Sequence, residues 1–132
     1  MATIARFEDL EVWKKSRSLA NDIYKLITDG NLAKDFKLRD QMNGSSGSIM
    51  DNIAEGFERG GKLEFVNFLS IAKGSAGELR SQLYRTFDRQ HIAQKEFESI
   101  KNKTEEVSKM ISGFMDYLNK SELKGNKFKN RK

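Results

Sequence analysis

The 132-residue sequence has no cysteine, no proline and a single histidine. Without cysteine there is no disulfide framework, no thiolate nucleophile and no Cys-ligated zinc. His91 alone cannot build a multi-histidine metal site, so neither a metal nor a cofactor is expected. The lack of proline removes the commonest helix breaker and fits a chain made of long helices. Long apolar runs are missing too. No stretch approaches the roughly 18 residues of a transmembrane helix, and Met1–Glu8 carries no signal-peptide core. These absences lead to the expectation of a soluble, cytoplasmic protein with no membrane partner.

Charge is present but unevenly spread. Residues 121–132 hold Lys124, Lys127, Lys129, Arg131 and Lys132 against Glu122, a net +4 of the chain's total +5. The body, 1–120, is therefore nearly neutral, and residues 121–132 form a basic tail without apolar periodicity, expected to be disordered.

The apolar pattern has a helical period throughout. It predicts four helices at about 9–28, 35–57, 62–89 and 94–119. Asp9 stands as N-cap of the first, and Gly30 suits a left-handed stop after it. The second passes through Asn43-Gly44-Ser45-Ser46-Gly47-Ser48, which alone would be read as a loop. The apolar phase from Met42 through Ile49 to Ile53 argues for helix there. Gly60-Gly61 marks the next turn. In the fourth, Phe97, Ile100, Thr104, Val107, Ile111, Phe114 and Leu118 alternate at three and four. The fold class expected is all-α: an antiparallel up-down-up-down four-helix bundle of residues 1–120, joined by short connections. The phenylalanines at 65, 68, 87, 97 and 114 belong to its core.

Four glycines fall inside predicted helices. At about 0.8–1 kcal/mol each relative to alanine, they cost roughly 3–4 kcal/mol together. About Gly60 as the turn, Gly47 lies 13 residues before and Gly74 lies 14 after, with Gly44 and Gly77 at 16 and 17. The register predicts close packing of the second and third helices at Gly44, Gly47, Gly74 and Gly77, with Ser45, Ser48 and Ser75 around the crossing. A small-residue face has a second use, contact between subunits, and the sequence does not separate the two.

Phe7-Glu8-Asp9-Leu10-Glu11-Val12-Trp13 resembles the opening F-x-D-L-x-V-W of the bacterial four-helix-bundle family associated with 23S rRNA intervening sequences. The resemblance continues at 38–42, at 48–56 with Arg59, and at 64–79, covering about residues 6–118 with aligned spacing. It implies an antiparallel four-helix bundle that assembles as a homopentamer. It also implies kinship with accessory proteins of diversity-generating retroelements, thought to bind nucleic acid and a reverse transcriptase. The sequence departs from the pattern at Asn43-Gly44, where two arginines are common. It departs again at Gly61, where a serine usually caps the third helix, although Glu64 keeps the other half of the capping box. The proline usual between the first two helices is also missing.

Ser48, Asn52 and Glu55 share one helix edge by their spacing of three and four. With Arg59 and Glu78 they form either a polar patch for a partner or a structural network at the hairpin, the second being favoured. Arg85 to His91 fits the loose Arg-x(4–6)-His pattern of HEPN-type ribonucleases, in which His91 would serve as acid or base and Arg85 on phosphate. Residues six apart on a continuous helix diverge, so the pair converges only if the helix breaks. The leading expectation is therefore a non-enzymatic, homo-oligomeric binding and assembly module acting on RNA or a ribonucleoprotein through the basic tail. A protein–protein adaptor and, more remotely, a HEPN-like ribonuclease are the alternatives.

Overall fold

The computed structural model describes residues 4–121. Four helices account for most of them: α1 (Glu11–Ile27), α2 (Phe36–Arg59), α3 (Lys62–Asp88) and α4 (Gln94–Lys120). Short 3-10 turns at Phe7–Asp9 and Leu32–Lys34 precede α1 and α2. Among the described residues there is no strand. Chain neighbours pack on one another, and α4 closes on α1 to complete the bundle; the α2–α3 contact is the most extensive. Cross-links run antiparallel. Between α2 and α3, Gln41 meets Arg85 and Ser48 meets Ser75. Between α1 and α4, Lys15 pairs with Glu106 and Asp22 with Lys103. This is the up-down-up-down bundle expected from the apolar periodicity.

The core is the sum of four apolar stripes. Leu19 and Ile23 of α1, Met42, Ile49, Ile53 and Phe57 of α2, Phe65, Leu69, Leu79 and Leu83 of α3, and Val107, Ile111 and Leu118 of α4 are fully buried. Phe57, Phe65 and Phe114 meet edge to face, at 5.9 and 5.2 Å between centroids. Phe87 stacks on Phe97 at 4.8 Å. Phe68 is half-buried, and the Arg59 guanidinium lies 5.0 Å from its ring centroid.

The helix ends differ in detail from expectation. Asp9 is not the N-cap of α1; it closes the preceding 3-10 turn, and Leu10 takes the capping position without a side-chain bond. Gly30 and Gly60 adopt φ of 58° and 87°, the left-handed conformation that ends a helix cheaply at glycine. Between α3 and α4 the same job falls to Gln90, at φ 61°. There His91 N–H donates to Thr86 O at 3.0 Å and Gln90 N–H to Phe87 O at 2.9 Å, a Schellman closure. No helix of the described residues is long and apolar enough to cross a membrane.

Candidate functional site

α2 is helical straight through Asn43–Ser48 because its inner edge never stops being buried. Met42, Ser45, Ser46, Ile49 and Ile53 all face the core. Ser45 and Ser46 tolerate this because their hydroxyls are satisfied. Ser45 Oγ donates to the buried Gln82 Oε1 at 2.6 Å, and Ser46 Oγ to Asn43 O at 3.2 Å.

The glycines take the opposite side. Among the described residues, a Cβ built on Gly44, Gly47, Gly74 or Gly77 would meet no neighbouring atom within 4 Å. The expectation that these four pack closely between α2 and α3 is therefore corrected. The reason is angular: with 3.6 residues per turn, a position two away from a core residue lies about 200° round the helix. Gly47 is two from Ile49, and Gly74 is two from both Ala72 and Ala76, so both turn away from the core. The close backbone approach of α2 and α3 sits instead at buried Gly56, where an added Cβ would lie 2.6 Å from Phe68 Cβ. Its signal was in the sequence, since Ile53, Gly56 and Phe57 share a face.

Beside the glycines runs a short polar chain. Ser48 and Ser75 hydroxyls are 2.8 Å apart across the hairpin. Asn52 Nδ2 donates to Ser48 O at 2.8 Å and to Ser48 Oγ at 2.9 Å. One turn on, Arg59 Nη2 donates to Glu55 Oε2 at 2.8 Å, which raises the arginine pKa further. Ser48 and Asn52 are thus brought together, as are Glu55 and Arg59. Glu78 joins neither pair; it is exposed and makes no ion pair among the described residues. Lys124, Lys127, Lys129, Arg131 and Lys132 lie outside the described residues.

The helix break between Arg85 and His91 exists, and the two side chains take different partners. His91 Nε2 lies 3.0 Å from Asp35 Oδ2, which also accepts from Arg89 Nη1 at 2.8 Å. Both donors hold the Asp35 carboxyl below its usual range, His91 first. The other ring nitrogen, Nδ1, is buried without a partner. Arg85 is spent on Gln41 Oε1 at 3.0 Å. This cluster ties the start of α2 to the α3–α4 turn. Among the described residues no group of three or more acids and histidines is placed to hold a metal ion.

The sequence model of the 23S rRNA-intervening sequence protein family matches residues 8–113. A solved 1.70 Å structure from Bacteroides thetaiotaomicron VPI-5482, described as a protein with unknown function from the S23 ribosomal protein family, superposes with a TM-score of 0.72. It is 30% identical, and the match covers 79% of this chain and 97% of that one. No curated protein matches the chain.

Proposed function

The chain belongs to the 23S rRNA-intervening sequence protein family, and from that premise we propose a non-enzymatic, homo-oligomeric binding and assembly module that acts on RNA or an RNA-containing complex. One observation carries the reading: the bare outer face of the α2–α3 hairpin. Gly44, Gly47, Gly74 and Gly77 cost roughly 3–4 kcal/mol in helix propensity, and among the described residues no neighbouring atom comes within 4 Å of a Cβ built on any of them. Backbone of a second copy approaching that space offsets the cost. Ile71, one turn before Gly74, is 52% exposed and adds apolar area to the same contact. Glu78 and the Ser48–Ser75–Asn52 chain supply polar groups at its edge. A pentamer is what the resemblance implies.

The RNA component is supported by the +4 segment 121–132. Repeated on each copy, such segments act together and raise avidity without new contacts. The non-enzymatic component is supported by the separate partners of the Arg85–His91 pair, since Arg85 bonds Gln41 and His91 bonds Asp35.

The test is single-stranded RNA binding by the full chain, measured with light scattering on the same sample. The reading predicts a multimer whose affinity falls about 100-fold between 50 and 200 mM salt, as five phosphate contacts would give. Deleting 121–132 removes most of that salt dependence. A multimer that binds no RNA even at low salt overturns the RNA component and leaves a protein–protein adaptor.

A further inference from the structure

Away from the glycine face, the last turn of α1, the 3-10 turn at Leu32–Lys34 and the first turns of α2 border an open groove. Its volume is about 340 Å³, and its walls include Tyr24, Ile27, Ala33, Arg39, Asp40 and Asn43. That is the small end of the roughly 300–1,000 Å³ range of ligand pockets, suited to one planar ring system. Two exposed aromatics stand there: Tyr24 in the groove at 61% exposure and Phe36 beside it at 63%. Neither belongs to the core.

Arg39 is held unusually firmly for a surface arginine. Its guanidinium lies 4.9 Å from the Phe36 ring centroid, Nη1 donates to Ala33 O at 3.1 Å, and Nε donates to Asp40 Oδ1 at 3.0 Å. A guanidinium fixed in this way offers a pre-organised flat surface for stacking. Asn43 is exposed, and its side-chain amide makes no hydrogen bond among the described residues. An amide carries a donor and an acceptor together, the complement of a base edge. The Asp40 carboxylate within the groove disfavours a phosphate there. Lys34 and Lys37, on the segment that bears Phe36, are exposed and enter no ion pair among the described residues.

We propose that this groove takes an unpaired base of single-stranded RNA. The base stacks against Tyr24 and the Arg39 guanidinium, Asn43 reads its edge, and neighbouring phosphates lie on Lys34 and Lys37. Aromatic and arginine stacking flanked by cations is the way proteins hold unpaired strands. A duplex keeps its bases stacked and cannot enter. The proposal rests on the RNA reading above but places base recognition in a different part of the chain from 121–132.

The experiment titrates the full chain with single-stranded hexanucleotides, a duplex and mononucleotides, and follows the Tyr24 and Asn43 resonances by NMR. Wild type is expected to bind the hexamers more tightly than mononucleotides or duplex, with shifts at both residues. Tyr24→Ala weakens hexamer binding about ten-fold, while Tyr24→Phe retains it; both variants unfold at the wild-type temperature because Tyr24 is exposed. Hexamer binding that is unchanged in Tyr24→Ala but lost on deleting 121–132 overturns the groove and leaves the RNA reading standing. Mononucleotides binding as tightly as hexamers would replace the proposed occupant with a free nucleotide. Failure of every RNA to bind, with both resonances unmoved, overturns the groove and the RNA reading together.

Discussion

A methyl group on Gly56 would sit 2.6 Å from Phe68 Cβ and 3.0 Å from Phe65 Cδ1. Neither atom is the free end of a long side chain, so α2 and α3 must part to admit it. Gly113, in α4, is exposed and has no neighbour within 4 Å of an added Cβ. Alanine therefore acts oppositely at the two sites. Gly56→Ala is expected to destabilise by about 1–3 kcal/mol through overpacking, and Gly113→Ala to stabilise by about 0.8–1 kcal/mol through helix propensity. Urea unfolding of both variants checks the contrast. At the same scale, Asp35 links stability to acid. Its folded-state pKa is below the usual 3.8 because His91 and Arg89 donate to the carboxylate. The stability this supplies is present above about pH 4 and is lost as pH falls through the lowered value and the carboxyl protonates. Asp35→Asn should be less stable than wild type near pH 6, and the gap should narrow by about pH 3. Urea midpoints across that range would show it; a constant gap would deny the linkage.

At the scale of elements, the α2–α3 hairpin is held by polar as well as apolar contact. Gln82 is 2% exposed, and its amide oxygen accepts from Ser45 Oγ at 2.6 Å. Removing Ser45 strands the Gln82 amide oxygen in the core, whereas removing both does not; the Ser45 hydroxyl itself keeps Met42 O as a second acceptor at 3.4 Å. Ser45→Ala alone should cost about 1–3 kcal/mol, and adding Gln82→Met should recover much of it in a double-mutant cycle. The helices themselves were legible because apolar residues report which side faces in: Met42, Ile49 and Ile53 carry α2 through a stretch whose composition reads as loop. Glycine carries no such sign. Gly44, Gly47, Gly74 and Gly77 were level across the hairpin, and level pairs suggested contact between the helices. Their angle from Ile49, Ala72 and Ala76 puts Gly47 and Gly74 outside instead.

For the whole molecule, fold and family were readable from sequence blocks spread along the chain, and the site much less so. Ser48, Asn52, Glu55 and Arg59 could be grouped by helical spacing, but spacing cannot tell a network bonded to itself from one awaiting a partner. The Tyr24–Arg39 groove joins residues of α1 and α2 across a turn, and periodicity within one helix does not reveal it. What remains outward and unoffset is the glycine face, on which the proposed assembly depends. Its most direct test is the solution mass of Gly47→Leu/Gly74→Leu beside that of wild type, by light scattering, with thermal unfolding recorded for both. Leucine is the better helix former, and its Cβ meets no described atom within 4 Å at either position, so the variant should still unfold cooperatively, as a folded monomer, while wild type is a multimer. A variant with the wild-type multimeric mass, or a wild type already monomeric, would contradict the account.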